Sequence, residues 1–363
     1  MSRIKIAFHP NFGFEVAAAT FVDKSKYEII PVPFSKKKVE KFGQNMFGEW
    51  CYPLKAAVAA CEEVIVTKGV EKFIGVNITA CSYPLVLGDI TKWIDKKFEY
   101  YVVTQSTVGV NPASFTLSLF EQFGKAFPDF STQKALKKMH LGYKRLQIAK
   151  KMSNLYYETL PKVRMPQNYK TQFKSFKYEL IIADSLSESN DVFKRFSELS
   201  KKLSVNVTKY KFAISGDISV ISVEFLLLDL DVFLAKQGIQ MVVPGLPSYF
   251  EYTFDEKSKK AKQIYSDVFS TKHKIVQVSD KHEIEISTLY QLLNALEKKV
   301  DGIVYIKPNM CTPCDNLSFV LKKNNFFDYP FVEISYDEHS GPEGILTRLE
   351  AFINIVSERK RKK

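Results

Sequence analysis

Short apolar runs recur along the first part of the chain: IKIAFHP from Ile4, YEIIPVPF from Tyr27, KFIGVNIT from Lys72 and YYVVTQS from Tyr100. Each has the length of a strand, and the intervals between them are long enough for a crossover helix. That alternation predicts a parallel sheet, because parallel neighbours cannot be joined by a tight turn. From Asn111 to Leu203 the period changes. PASFTLSLFEQFGKAF, STQKALKKMHLGYKRLQIAKKMSNLYYETL and ESNDVFKRFSELSKKL repeat apolar residues at three-to-four spacing, which predicts amphipathic helices. The strand series then resumes with FAISGD, IQMVVPG, DGIVYIKP and YPFVEISYDE, with helices expected over 221–236, 286–299, 314–324 and 341–358. The pattern therefore predicts an α/β protein with two Rossmann-like parallel-sheet domains, over 1–110 and 206–363, and a mainly helical segment over 111–205 between them. The two halves are expected to share a topology without sharing sequence.

With 363 residues and 45% apolar content, the chain can fill two cores. The most apolar stretch, ISVISVEFLLLDLDVFLAKQG, carries Glu224, Asp229 and Asp231, which a bilayer-spanning helix would not accept cheaply, so no membrane association is expected. MSRIKIAFHP leads directly into an apolar run without the form of a secretory leader. Five cysteines are too few, and odd in number, for a disulfide framework; a reducing, cytoplasmic location is expected. The net charge of +12 collects in SKKKVEKF, KALKKMHLGYKRLQIAKK, DEKSKKAKQ and SERKRKK, runs that read first as solvated helix faces. Without aromatic residues interleaved in a single-strand-binding pattern, they do not predict a nucleic-acid partner.

Three cysteines share a local context. In EWCYPLKAAVAACEEVIV, TACSYPLVLGDITKWI and PNMCTPCDNLSFVLKK, each of Cys51, Cys81 and Cys311 is followed within three residues by a proline and then by a helical run. Proline is favoured in the first helical turn, so each sulfur is expected at the positive end of a helix dipole, a setting that favours thiolate. Cys81 and Cys311 also follow expected strands, where an open α/β sheet forms its ligand crevice. Cys61 lies inside a helical run and reads as core. Cys314 is the open case: a fourth ligand, a spare thiol, or neither.

A Cys-x-x-Cys can be a redox pair, half a zinc site or part of an iron-sulfur site. Zinc would ask for a second local pair of ligands, and a thioredoxin-like pair would leave Cys51 and Cys81 unexplained. Three dispersed thiolates suit a 4Fe-4S cluster with one iron left for a substrate, a small ligand or Cys314. His9, at the end of the first expected strand, borders the same crevice. Tyr52 and Tyr83 flank ligand positions and would shield the site from water, and Lys55 could offset its charge.

The C-terminal segment YPFVEISYDEHSGPEGILTRLEAFINIV, with Asp337, Glu338 and His339 followed by Gly344 and Thr347 to Phe352, resembles a signature of the 2-hydroxyacyl-CoA dehydratase component and activase-related (CoA protein activase) superfamily. EWCYPLK, TACSYPL and PNMCTPC resemble that superfamily's three cysteine elements, in the same order. The resemblance implies an oxygen-sensitive 4Fe-4S protein ligated by Cys51, Cys81 and Cys311. It would receive low-potential electrons from a separate ATP-hydrolysing activase, act with a related second subunit or as a homo-oligomer, and serve a CoA thioester or other small molecule. Five cysteines are too few for the double-cubane branch. His339 or Glu338 would hydrogen-bond near the cluster or move a proton, although Ser340 and Glu343 as helix caps and Arg348 as an ion-pair partner give the segment a purely structural reading too. The chain has no Gly-x-x-x-x-Gly-Lys-Ser/Thr loop, so ATP hydrolysis is assigned to the partner.

Overall fold

The computed structural model describes residues 3–9, 12–32, 51–77, 83–104, 112–217, 229–243, 256–269, 283–309, 311–323, 328–337 and 340–362. Among them, β1 (Ile4–Phe8), β2 (Tyr27–Ile29), β3 (Lys72–Asn77) and β4 (Glu99–Thr104) form one sheet in the order β2-β1-β3-β4. A second sheet takes β5 (Tyr210–Gly216), β6 (Ile239–Val242), β7 (Gly302–Pro308) and β8 (Phe331–Tyr336) in the order β6-β5-β7-β8. Every pairing is parallel. The expected α/β fold with two parallel sheets is present, and the second sheet repeats the strand order of the first. In both, the chain crosses to one side of its first strand and then returns to the other, which opens a crevice at the carboxyl ends of β1/β3 and β5/β7.

The first helices along the chain are α1 (Phe12–Ala19), α2 (Tyr52–Lys68), α3 (Tyr83–Ile94) and α4 (Pro112–Ala126), the last of them opening the middle segment. Next come α5 (Thr132–Thr159), α6 (Pro166–Ile182) and α7 (Leu186–Leu203). The second half adds α8 (Leu230–Lys236), α9 (Glu256–Phe269), α10 (Glu283–Leu296), α11 (Thr312–Lys323) and α12 (Pro342–Arg361). None of the helices, searched over the described residues, is long and apolar enough to cross a membrane. The helix expected over 221–236 is seen as α8; residues 218–228 lie outside the described set.

Alternation along each strand assigns its two faces. Ile6, Phe8, Ile74 and Val103 turn to a core shared with α1 and with Phe123, Met152, Tyr156, Phe173 and Phe196 of the middle helices. Ala7 and Phe73 turn the other way, onto α2 and α3. In the second sheet, Phe212, Ile214, Val304 and Ile306 pack on α8 and α12, while Ala213, Ile303 and Tyr305 pack on α9, α10 and α11. Both faces are covered, which is why the strands read as near-continuous apolar runs.

Helix α2 belongs to both halves. Leu54, Val58, Cys61 and Ile65 face the first sheet, whereas Tyr52, Ala56 and Ala59 enter the core of the second. Two stripes at three-to-four spacing on one helix, the second with two alanines that admit close approach, produce this bridge. Its N-terminal end carries Cys51.

Beneath the ends of β7 and β8, Glu333 accepts from Lys307 and Lys322, both at 2.8 Å, and from Ser318. Burial alone would raise the Glu333 carboxyl, but these three donors outweigh it and hold the pKa at about 2 against an ordinary 4.5. Because the folded-state value is depressed, this stabilisation is complete above 4.5 and disappears as pH falls through about 2. The urea midpoint of the wild type should fall across that window. Glu333→Gln should start lower at neutral pH and fall less; parallel curves for the two proteins would refute the assignment.

Candidate metal centre

Strand β5 ends in Gly216, whose φ of +131° lies in a region that L side chains rarely adopt. The requirement is steric as well as conformational, since a Cβ there would stand 1.8 Å from the Ile306 carbonyl oxygen of β7. Immediately after it, the Asp217 amide donates to that same oxygen at 3.0 Å, which fixes the aspartate at the switch point of the second sheet.

On the other side of the switch point, β7 leads into α11. Cys311 is the residue before that helix, and its carbonyl accepts from the Asp315 amide at 3.0 Å. Cys314 falls in the first turn and is buried, with its carbonyl oxygen accepting from the Tyr305 hydroxyl at 2.8 Å. The two sulfurs are 3.2 Å apart, and Oδ2 of Asp217 lies 3.9 Å from the Cys311 sulfur and 3.8 Å from that of Cys314. This trio is a group able to hold a metal ion. The Cys314 thiol is pushed up, first by its hydrogen bond with Cys311, then by burial and by the charges of Asp217 and Cys311.

Tyr336, at the end of β8, connects the trio to the first half. Burial, followed by the negative groups of Asp217, Tyr52, Cys314 and Cys51, raises its hydroxyl well above the ordinary value. That hydroxyl is buried and has no hydrogen-bond partner among the described residues. The Tyr52 ring meets Tyr336 edge-on, with centroids 5.3 Å apart. Cys51, half-buried, precedes α2 with φ −64° and ψ 149°, and its carbonyl accepts from the amides of Leu54 and Lys55. Thus the bridging helix brings a third cysteine to the tyrosine that borders the trio. A buried hydroxyl in need of an acceptor, beside thiols and a carboxylate, fits a metal or metal-sulfide group as the missing partner.

Cys81, Glu338 and His339, three of the residues expected at the site, lie outside the described residues. Tyr83 begins α3, but its side chain is likewise not described. Around the signature segment, Asp337 accepts from Asn309 Nδ2 at 2.6 Å and from Ser340 Oγ at 2.9 Å, tying the end of β8 to the loop that carries Cys311. Ser340 therefore serves this turn, and the N-cap of α12 is instead Gly341, which offers no side-chain cap. Arg348 and Glu350 are exposed.

His9 occupies in the first half the place that Asp217 has in the second, at the end of the first strand of its sheet. Burial lowers its pKa to about 4, so it is neutral at pH 7. Cys61 is a core residue, as its helical context predicts. Lys55 is buried rather than solvated.

No protein-family model matches the chain, and no curated protein matches it either. Any reading of function accordingly rests on the residues themselves. Asp217 and Tyr336 were not singled out from the sequence. Gly216-Asp217 directly after an apolar strand was the available signal, because the crevice rule that selects His9 after β1 selects Asp217 after β5 once the second half is seen to repeat the first.

Proposed function

We propose that the chain is an iron-sulfur electron-transfer or reductase component of the 2-hydroxyacyl-CoA dehydratase type, with Cys51, Cys81 and Cys311 holding a 4Fe-4S cluster and Cys314 the candidate fourth ligand. The observation that carries this reading is the approach of Cys51, at the start of the bridging helix, to the buried Tyr336 beside Cys311, Cys314 and Asp217. Such a cluster supplies one-electron transfer at a potential set by its hydrogen bonds and its exposure. Tyr52 and Tyr336 would exclude water from one side, and the Tyr336 hydroxyl would donate a hydrogen bond toward the bound group. Electrons would come from a separate ATP-hydrolysing activase. A related second subunit or a second copy, and a CoA thioester or other small acceptor, complete the proposed system.

Protein purified without oxygen should be brown, with about four irons and four sulfides per chain. Cys51→Ala, Cys81→Ala and Cys311→Ala should each lose most of both. Colourless, iron-free but folded protein would sink the reading. A cluster that forms but cannot be reduced by activase, ATP and a low-potential donor would favour a non-catalytic, cluster-binding scaffold instead.

A further inference from the structure

The second half by itself carries a chelate. A tetrahedral ion with metal-sulfur bonds of about 2.3 Å and a metal-oxygen bond of about 2.0 Å sets its sulfur ligands about 3.8 Å apart and a sulfur about 3.5 Å from an oxygen. The observed separations of 3.2, 3.8 and 3.9 Å come within about 0.6 Å of those edges. Sulfurs bound to different irons of a cluster stand much farther apart, so the side chains as placed converge on a single metal atom.

Each of the three groups also has an anchor within the second half. Asp217 is set by the β5–β7 ladder, Cys311 by the start of α11, and Cys314 by the first turn of that helix and by Tyr305. Two thiolates and a carboxylate select a thiophilic divalent ion over magnesium or calcium, which take oxygen ligands. Three protein ligands leave one tetrahedral position open, and the Tyr336 hydroxyl near Asp217 and Cys314 lacks a partner among the described residues.

We infer that Asp217, Cys311 and Cys314 bind one thiophilic divalent cation, such as Zn2+ or Fe2+, in an open tetrahedral site of the cluster-free chain. The site goes beyond the cluster reading, because it needs neither Cys51 nor Cys81. Loading it converts two thiols to thiolates and releases two protons to solvent for each ion bound.

The test is a titration of the full-length, metal-free, fully reduced protein with Co2+ under argon, followed by displacement with Zn2+. One Co2+ per chain should bind with the intense visible bands of a tetrahedral ion and a charge-transfer band of two-thiolate strength. Cys311→Ser and Cys314→Ser should each remove about half of that band and weaken binding by at least tenfold. Asp217→Asn, close in shape, should keep the two-thiolate band but also weaken binding by at least about tenfold. Cys51→Ala should bind as the wild type does. Circular dichroism on every variant separates lost ligation from lost folding. Absence of the charge-transfer band, unchanged affinity in folded Asp217→Asn, or dependence on Cys51 would overturn the inference. Reconstitution with iron and sulfide, read through its dependence on Cys51 and Cys81, tests the cluster separately, so either proposal can fail while the other stands.

Discussion

Gly216→Ala should cost at least about 3 kcal/mol of stability, or prevent folding altogether. Two independent penalties coincide there. A backbone φ of +131° is strained for any L side chain, and the added methyl would stand 1.8 Å from the Ile306 oxygen, 2.7 Å from its carbonyl carbon and 2.8 Å from its nitrogen. All three contacts are backbone atoms of a central strand paired with both β5 and β8, so no rotamer change can relieve them. The neighbouring Asp217 would have to move with the strand end, and variant protein that still folds should bind Co2+ poorly. Gly344→Ala is the matched control. Nothing lies within 4 Å of the Cβ it would gain, and it sits in a helix, where alanine is favoured by up to about 1 kcal/mol. Urea midpoints decide the matter: a Gly216→Ala protein as stable as the wild type would refute the steric account.

Much of the fold was legible because parallel strands covered on both faces advertise themselves as apolar runs, and DGIVYIKP is the clearest of these. Helix α9 was harder to see. Its apolar stripe, Ala261, Ile264, Tyr265 and Val268, has helical spacing, but the lysine run around it drew attention to charge rather than to period. Spacing announces α2 as a helix but not that its two stripes serve two different cores; that dual role becomes visible only when Tyr52 is found against Tyr336. At the site, the common context of Cys51 and Cys311 at helix starts was readable, since proline in the first turn is a local signal. Asp217 was not readable in that way. Its role depends on β5 pairing with β7 across more than eighty residues of chain, so the strand-end position of Gly216-Asp217 gains its meaning only once the second half is seen to repeat the first.

Replacing Lys170 by methionine should destabilise the protein by about 3–5 kcal/mol, for a reason the hydrophobic pattern cannot supply. The Asp231 side chain is fully buried, and Lys170 is only 3% exposed. Lys170 Nζ lies 2.8 Å from carboxylate oxygens of both Asp231 and Asp229, and the Tyr156 hydroxyl donates to the other oxygen of Asp231 at 2.7 Å. The lysine comes from α6 and the tyrosine from α5, on the first core; the aspartates come from the start of α8, whose Leu230 and Leu234 pack on the second sheet. Without the lysine, a buried carboxylate keeps one neutral donor for two oxygens, and its desolvation is no longer offset. Lys170→Met combined with Asp231→Leu removes both charges and should recover most of the loss, because an apolar replacement of a buried pair is often neutral. By contrast, Lys125→Ala, which breaks an exposed pair with Glu121, should change stability by no more than about 1 kcal/mol. If the single variant matches that surface control in urea, the network contributes nothing to joining the halves. A large loss rescued by the second substitution would identify a buried charge pair that fixes α8 on the helices of the first core, and with it the second sheet that carries Asp217 and Cys311.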